Sequence, residues 1–411
     1  MSVFDGLRVL DVASYVAGPA AATILGDFGA EVIKVEPPGQ GDGYRKTSAL
    51  PNLPKSEHNY AWDVVSRNKL GLALDLSKPA GKIVLERLVR NADVLITNYP
   101  VAVRAKLGLD AQALLKVNPR LIFASVSGYG ETGPEAHRLG FDATAYFARS
   151  GLTDITRSHE NAAPNAPAMA QGDHPTATTL FGAIVTALYK RERTGEGSIV
   201  STSLLANGIW SNAAMVQAVL AGAEIRYRFP RDAPRSALSN FYRCADDRWL
   251  SIAMVSEEKL WPLMIDLMEL PELGADPRYS TTAARRENSR TLTAKFDEIF
   301  VRHNAAEWQR RFEAGGFTVS VVARMADLAN DEQAVHAGAL VPAEGMGGTD
   351  RTVDSPFRIV GVKKVQPSGA HGVGQHSRNV LRKNGYTDDE IDALVTQGIV
   401  EQEQSPAPQK S

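Results

Sequence analysis

Residues 7–36, LRVLDVASYVAGPAAATILGDFGAEVIKVE, carry the pattern that decides the fold. The apolar runs at 7–13 and 31–36 are typical of buried strands, and the small residues at 18–30 favour a helix between them. A strand, a helix and a second strand in this order predict a βαβ unit with parallel strands.

The same alternation recurs further along the chain. Strand-like sequence at 70–76, 93–99 and 120–130 is separated by helix-like sequence at 79–92 and 110–118. The chain is therefore predicted to be an α/β protein with a doubly wound sheet, in which ligands bind beyond the carboxyl ends of the strands. The loops at that edge are SYVAGP at 14–19, EPPGQGDGYRKT at 36–47, NYPVAVRAK at 98–106 and SGYGETGP at 127–134.

The pattern changes at about residue 225. LSNFYRCADDRWLSIAM, residues 238–254, predicts a hairpin with an Asp-Asp turn, and amphipathic helices follow it. We interpret this part as a second, smaller α+β domain. The polar stretch EQEQSPAPQKS at 401–411 predicts a flexible tail.

Composition limits the class of protein. Apolar residues make up 44% and charged residues 22% of the 411 residues, as in globular proteins, and the length predicts two domains. The 45 basic and 47 acidic residues give a net charge of −2, so we expect no nucleic-acid or membrane partner. The single cysteine, Cys244, and an amino terminus unlike a signal peptide indicate a cytoplasmic protein.

Two familiar kinds of site have little support. GYGETG at 128–133 has the glycine spacing of a dinucleotide site, but Pro134 follows it, and the first βα turn offers only Gly18. The eight histidines lack the spacing of metal ligands. We therefore disfavour a dehydrogenase and expect no metal.

Basic residues occur in several of the predicted loops. A single basic residue is most often a solvated surface charge, but several at one sheet edge would bind a phosphorylated ligand through charge-assisted hydrogen bonds. These residues are Arg45, Lys46, Lys69, Arg104 and Lys106.

Asp173 has two interpretations. It lies at the start of the apolar helix predicted within MAQGDHPTATTLFGAIVTALYKRERTGEGS, residues 169–198. Asp is a preferred helix N-cap and Pro175 suits the first turn. A helix N-terminus also favours an ionised carboxylate, which could attack a carbonyl carbon, and Gly172 would let a ligand approach the backbone. The sequence alone leaves both roles open.

Several blocks of the chain resemble the class III CoA-transferases, the group of formyl-CoA transferase and alpha-methylacyl-CoA racemase. The resemblance covers nearly the whole length, and matching blocks in the same order are more specific than any one of them. The blocks are LRVLDVASYVAGPAAATILGDFGAEVIKVEPPGQGD at 7–42, NKLGLALDL at 68–76, ADVLITNYPVAVRAKLGL at 92–109, NPRLIFASVSGYGETGP at 118–134, GDHPTATTLFGAIVTALYKRERTGEG at 172–197, DEQAVHAG at 331–338 and GVGQHSRNVLRKNGY at 372–386.

The resemblance implies an enzyme in which Asp173 attacks an acyl-CoA thioester. Coenzyme A then passes to an acceptor carboxylic acid through an aspartyl-acyl anhydride and an aspartyl-CoA thioester, without a metal. The resemblance implies that coenzyme A is contacted by Val16, Ala17, Asn98, Tyr99, Arg104, Lys106 and Tyr129. Some members of the family have a phosphate-binding arginine where this chain has Pro38, so we expect Arg45 to bind the phosphate instead.

The resemblance also implies the architecture. We expect a Rossmann-like large domain built from both chain ends, 1–224 and 326–400, a smaller α+β domain at 225–325, and an interlocked homodimer.

Two departures bear on the activity. Racemase members carry a histidine in a Gly-His-Asp step where this chain has Phe141 before Asp142, and 230–242 lacks the glycine-rich lid of formyl-CoA transferase. CoA transfer is therefore preferred, with an acyl-CoA racemase or a catalytically silent CoA-binding protein as alternatives. Aromatic residues that could shape an acyl pocket, although each is more often core, are Phe147, Trp210, Phe241 and Tyr242.

Overall fold

The computed structural model describes residues 2–51, 53–254 and 256–402. These residues form two compact units. The first contains the described parts of Met1–Leu152, Ala166–Val216 and Glu332–Ser411, and the second contains those of Thr153–Asn165 and Gln217–Asp331. The domain boundaries inferred from the sequence stay predictions.

The strands of the described chain are β1 (Arg8–Val12), β2 (Glu31–Glu36), β3 (Lys69–Leu74), β4 (Val94–Thr97), β5 (Ile122–Ser127), β6 (Ser198–Ser203), β7 (Ser239–Arg243), β8 (Trp249–Ala253), β9 (Val319–Val321), β10 (Leu340–Met346), β11 (Thr349–Val353) and β12 (Val400–Glu401). The α-helices are α1 (Ala17–Asp27), α2 (Tyr60–Ser66), α3 (Pro79–Arg90), α4 (Val101–Arg104), α5 (Ala111–Val117), α6 (Leu152–Ile155), α7 (Asp173–Thr194), α8 (Leu204–Ser211), α9 (Ala213–Leu220), α10 (Glu257–Leu267), α11 (Pro271–Ala275), α12 (Thr282–Glu287), α13 (Ser289–Phe300), α14 (Ala305–Ala314), α15 (Glu332–His336), α16 (Ser377–Lys383) and α17 (Asp388–Thr396). A π-helix spans Asp142–Ala148. Among the described helices, none combines the length and the hydrophobicity needed to cross a membrane.

A seven-stranded sheet with the order β12-β3-β2-β1-β4-β5-β6 organises the first unit. Strands β1 to β6 are parallel, and β12 at the edge pairs antiparallel with β3. The α/β prediction with a parallel sheet is confirmed. Because the strand order reverses between β1 and β4, a crevice is expected at the carboxyl ends of these two strands.

Helix α1 shows why the first stretch of sequence determines this arrangement. Every residue of α1 is buried, because the helix packs on both α7 and the sheet. Its small side chains permit this close packing, and a Cβ atom added at Gly18 would lie 2.5 Å from the Cβ atom of Ala13. The βαβ unit predicted over 7–36 is confirmed.

The other face of the sheet is covered by helices from both ends of the chain. Leu10 of β1 and Leu72 of β3 pack with Leu88 of α3 and with Leu381 of α16. Helix α17 adds Ile391 to the same core. Glu401 of the predicted tail lies in β12. Residues 403–411 of the predicted tail lie outside the described residues.

The second unit contains a three-stranded antiparallel sheet with the order β7-β8-β9. The predicted hairpin is confirmed, and Asp247 in its turn has a φ of 60°. Aromatic side chains make up eight of the 22 buried residues in the core of this unit, including Phe296, Phe300 and Trp308.

Four buried charges connect β1, β2 and β3 beneath the carboxyl edge of the large sheet. The Lys34 ammonium lies 2.9 Å from Asp42 and 3.9 Å from Asp11, and the Lys69 ammonium lies 2.8 Å from Asp11. Burial lowers the pKa of Lys69 to about 8, against the opposing charge of Asp11. The expectation that Lys69 is a loop cation for a phosphate is wrong, because it begins β3 and its side chain is fully buried.

Candidate active site

A cavity of about 390 Å³ in the first unit lies at the carboxyl ends of β1, β4 and β5. This is the position expected from the reversal of strand order. Its walls come mainly from the loops after these strands and from the start of α7. The lining residues are Ser14, Tyr15, Val16, Ala17, Asn98, Tyr99, Pro100, Val101, Arg104, Val126, Ser127, Gly128, Gly130, Glu131, Ala136, Arg138, Leu139, Gly140, Phe141, Asp173 and Leu204.

Asp173 is the first residue of α7, and Gly172 occupies the N-cap position. The N-cap interpretation of Asp173 is therefore wrong, since its backbone is already helical. Among the described residues, none donates a hydrogen bond to the Asp173 carboxylate. A half-buried carboxylate without hydrogen bonds on a cavity wall is available to a ligand.

Gly172 allows close packing of an aromatic ring at the start of α7. A Cβ atom added at Gly172 would lie 2.5 Å from Cγ of Tyr146. The Tyr146 hydroxyl forms a 2.5 Å hydrogen bond with Ser211. The close approach predicted at Gly172 is thus made by Tyr146 of the protein itself, and this contact fixes the position of Asp173 beside it.

Asp142 is a second carboxylate near Asp173 and begins the π-helix. One Asp142 oxygen accepts a hydrogen bond from the backbone N–H of Ala143, whereas Oδ2 is buried without a hydrogen-bond partner. Burial and the Asp142 charge together raise the pKa of Asp173 to about 7. The expectation that Asp173 is kept ionised is therefore not supported, because burial and the Asp142 charge both favour its neutral form.

Hydrogen bonds to the backbone hold the first wall of the cavity, the turn that follows β1. The Asn98 side chain accepts a hydrogen bond from the Ser14 N–H (2.8 Å) and donates one to the Ser14 carbonyl (2.7 Å). Asp42 accepts hydrogen bonds from the N–H groups of Tyr15 and Tyr44. Val16 and Ala17 complete this wall, so the turn is fixed before a ligand arrives.

Arg104 is a buried member of the second wall, which follows β4. Its Nε donates to the Tyr99 carbonyl (2.7 Å), and its Nη2 lies 2.5 Å from Glu131. Among the other lining residues, Arg138 forms an ion pair with Glu135 and lies over the ring of Tyr129. Both arginines of the cavity are therefore paired with carboxylates of the protein.

The structure brings together six of the nine site residues that the sequence suggested. Those on the cavity wall are Val16, Ala17, Asn98, Tyr99, Arg104 and Asp173. Lys106 is exposed and Tyr129 packs near Tyr146, and neither lines the cavity.

Arg45 also lies off the cavity wall. Its guanidinium makes two hydrogen bonds to Glu36 (2.7 and 2.8 Å) and lies 4.0 Å from the centre of the Trp62 ring. This internal pairing argues against the phosphate contact predicted for Arg45, because Glu36 already neutralises its charge.

Sequence reasoning did not identify Asp142, Tyr15 and Phe141 as parts of the site. The signal for Asp142 is the carboxylate that follows Phe141 in LGFDATAY, residues 139–146. The aromatic residues named for an acyl pocket do not line the cavity, and Tyr242 is fully buried in the second unit. Within the described chain, no cluster of three or more His, Cys, Asp or Glu side chains is arranged to hold a metal ion.

Comparison with known proteins gives consistent matches. The model of the family described as CoA-transferase family III matches residues 4–377. The chain is 31% identical to (R)-2-hydroxy-4-methylpentanoate CoA-transferase of Clostridioides difficile, over 97% of this chain and 99% of that one. It is 30% identical to cinnamoyl-CoA:phenyllactate CoA-transferase of Clostridium sporogenes, over 96% of each chain. The crystal structure of a CAIB/BAIF family protein from Brucella suis matches with a TM-score of 0.82 and 27% identity, over 93% of this chain and 99% of that one.

Proposed function

The chain belongs to CoA-transferase family III, and from this premise we propose that it transfers coenzyme A between carboxylic acids through covalent intermediates on Asp173. The observation that carries this proposal is the Asp173 carboxylate, which lies on the cavity wall with no hydrogen bond from the described residues. No donor among the described residues therefore has to be displaced before this carboxylate attacks.

The first half of the reaction loads the enzyme. A carboxylate oxygen of Asp173 attacks the thioester carbonyl, the C–S bond breaks, and a mixed anhydride and CoA thiolate result. The thiolate then attacks the aspartyl carbonyl and the C–O bond breaks. This step releases the donor acid as a carboxylate and leaves an aspartyl-CoA thioester.

The second half reverses these steps with the acceptor. The acceptor carboxylate attacks the aspartyl-CoA thioester and expels the thiolate, which forms a new anhydride. The thiolate attacks the acyl carbonyl of this anhydride, so the new acyl-CoA leaves and the Asp173 carboxylate is restored. Bond energy is retained throughout, and no other reactant is consumed.

The electrostatics of the site favour the loaded enzyme. Ionised Asp173 is destabilised by burial and by the charge of Asp142, as its raised pKa of about 7 indicates. Acylation or thioester formation removes the charge of Asp173 and with it this repulsion. A more basic carboxylate is also a better nucleophile, and an appreciable fraction is ionised near pH 7.

The coenzyme A contacts and the architecture belong to the same proposal. Val16, Ala17, Asn98, Tyr99 and Arg104 are proposed to contact coenzyme A, since they line the cavity that contains Asp173. For Lys106 and Tyr129 the support is the family resemblance alone. Arg45 is not included, because its ion pair with Glu36 argues against a phosphate contact. A cytoplasmic location also stays a prediction from the sequence.

We also propose the interlocked homodimer and the small α+β domain at 225–325. Support for a dimer comes from large apolar side chains exposed in the single chain, including Ile209, Trp210 and Met215 on α8 and α9. Sedimentation equilibrium that gives the mass of one chain would contradict the dimer.

An acyl-CoA racemase has one observation in its favour. The carboxylates of Asp142 and Asp173 could serve as two acid/base groups at an alpha carbon, whereas Phe141 supplies none. This alternative predicts exchange of the alpha proton for deuterium without any acceptor acid. A silent CoA-binding protein predicts coenzyme A binding without any adduct.

The decisive experiment is intact-protein mass spectrometry after incubation with a panel of acyl-CoA thioesters. Wild type should gain one coenzyme A on Asp173, located by peptide digestion, and should lose it when a carboxylate is added. Asp173→Asn should show no adduct, whereas the matched variant Asp350→Asn, an exposed aspartate away from the cavity, should behave as wild type. The absence of an adduct with every donor would contradict the proposed function.

A further inference from the structure

Two aromatic side chains form part of the rim of the active-site cavity. Tyr15 and Phe141 both line it and remain 46% and 62% exposed, and their ring centres are 6.2 Å apart in an edge-to-face arrangement. Leu139 and Val101 extend the same apolar rim, and both are also exposed. Exposed apolar side chains gathered around one cavity are typical of a ligand-binding site.

Tyr15 is held in place by the protein rather than by a ligand. Its φ of 63° is a left-handed conformation that is unfavourable for a tyrosine, and Asp42 accepts a hydrogen bond from its N–H. The ring lies over Gly43, where an added Cβ atom would approach the Tyr15 hydroxyl to 3.1 Å, and the edge of Tyr44 supports it. A strained residue on the wall of the cavity that also contains Asp173 is typical of a functional site.

The charges of the cavity indicate which acids it disfavours. Arg104 and Arg138 are the basic residues of the lining, and each is already paired with a carboxylate, Glu131 and Glu135 respectively. A substrate with a second carboxylate would enter without an unpaired cation from this lining. Burial of an unpaired carboxylate is unfavourable.

We propose that Tyr15 and Phe141 contact the acyl group, and that the substrates are monocarboxylic acids with a bulky apolar or aromatic substituent rather than dicarboxylic acids. This inference rests on the proposed function and specifies its substrate class. The aromatic pair selects the substituent, and Asp173 performs the chemistry next to it.

The test compares 3-phenylpropanoyl-CoA, acetyl-CoA and succinyl-CoA as donors to wild type, with the rate of the Asp173 adduct as readout. We expect kcat/KM to be highest for 3-phenylpropanoyl-CoA and at least about tenfold lower for succinyl-CoA. Phe141→Ala should lower the preference for 3-phenylpropanoyl-CoA over acetyl-CoA by about fivefold, because an aromatic contact is lost. Phe141→Leu should retain part of the preference for 3-phenylpropanoyl-CoA.

Tyr189→Ala is the matched control, because Tyr189 is an exposed aromatic residue of α7 that does not line the cavity. This variant should keep the wild-type preference. Adducts that form equally fast with succinyl-CoA, or a preference that is unchanged in Phe141→Ala, would overturn the inference and leave the proposed function intact. No adduct with any donor would instead contradict the proposed function itself.

Discussion

The raised pKa of Asp173 makes the reaction sensitive to pH near neutrality. Only the ionised carboxylate attacks a thioester, and burial together with Asp142 places its pKa at about 7. We therefore expect kcat/KM for adduct formation to be low at pH 5, to rise with a midpoint near pH 7 and to level off above pH 8. Stopped-flow or quenched mass spectrometry across this range measures the midpoint.

Asp142→Asn isolates the contribution of the second charge. The midpoint should move below pH 7 but stay above the ordinary range of an aspartate, because burial is the larger cause of the raised pKa and remains. Asp350→Asn is the control and should keep the wild-type midpoint. A midpoint that does not move in Asp142→Asn would exclude Asp142 as a determinant of the nucleophile.

The same carboxylate should also lower the stability of the folded protein at high pH. The pKa of Asp173 is about 7 in the folded protein, whereas that of an ordinary aspartate is 3.8. As the pH rises, Asp173 therefore ionises at a lower pH in the unfolded state than in the folded state. The resulting decrease in the free energy of unfolding is absent below about pH 4, grows between pH 4 and 7, and is complete above pH 7. Because one pKa unit corresponds to about 1.4 kcal/mol and solvent partly screens this group, Asp173→Asn should be about 1–3 kcal/mol more stable than wild type at pH 8.

Denaturant unfolding of wild type and Asp173→Asn at pH 4 and pH 8 tests this sign. The difference in the free energy of unfolding should be larger at pH 8 than at pH 4. A difference that is equal at the two pH values would show that the Asp173 pKa is not raised in the folded protein.

At the scale of the element, the start of α7 depends on the missing side chain of Gly172. A Cβ atom there would overlap Tyr146, so Gly172→Ala should shift either the ring or the start of the helix. Overpacking of this kind destabilises a protein by about 1–3 kcal/mol. Since Asp173 is adjacent, the rate of adduct formation should fall as well.

Gly182→Ala provides a control within the same helix. A Cβ atom at Gly182 would meet no atom within 4 Å, so this change should be neutral or should stabilise α7 by up to about 1 kcal/mol. Thermal unfolding and single-turnover rates of the two variants give the comparison. If Gly172→Ala and Gly182→Ala had the same stability and the same single-turnover rate, the contact between Gly172 and Tyr146 would not position the nucleophile.

The elements themselves were largely predictable from local sequence. Helix α1 is rich in small residues, and β1 and β2 are apolar runs. This composition predicts that all three elements are buried, as they are in the structure. The failures involve long-range contacts. Lys69 directly precedes the apolar run at 70–76, and this local pattern predicts a loop residue, whereas its partner Asp11 is far away in sequence. The π-helix at 142–148 has no comparable local signal.

At the scale of the whole molecule, the site could be predicted in position but not in charge state. The rule for sheets with reversed strand order predicts a crevice after β1 and β4, and the structure has a cavity there whose lining includes Val16, Asn98 and Arg104. The pKa of Asp173 could not be predicted, because it depends on burial and on the distance to Asp142. The same holds for Arg45, whose pairing with Glu36 only the folded chain reveals.

The large sheet requires the end of the chain as well as its beginning. Strand β12 covers the edge of β3, with Val400 opposite Leu74, and Ile391, Ile399 and Val400 are buried in the core beneath it. A chain that ends at residue 386 lacks α17 and β12, so it exposes this core and an unpaired strand edge. The loss should exceed about 5 kcal/mol, which is comparable to the whole stability of many domains.

Three variants make this last prediction measurable. The chain that ends at 386 should show no cooperative unfolding of the large sheet, whereas one that ends at 402 lacks only residues 403–411 and should match the full chain. Ile399→Ala perturbs the same core less than the truncation does, so this variant should still fold. Its free energy of unfolding should be lower by about 2–5 kcal/mol, because a buried isoleucine is truncated. Hydrogen exchange of the β3 amides reports on the sheet directly. If the β3 amides of the chain that ends at 386 exchanged as slowly as those of the full chain, the carboxyl-terminal segment would not be part of the folded core.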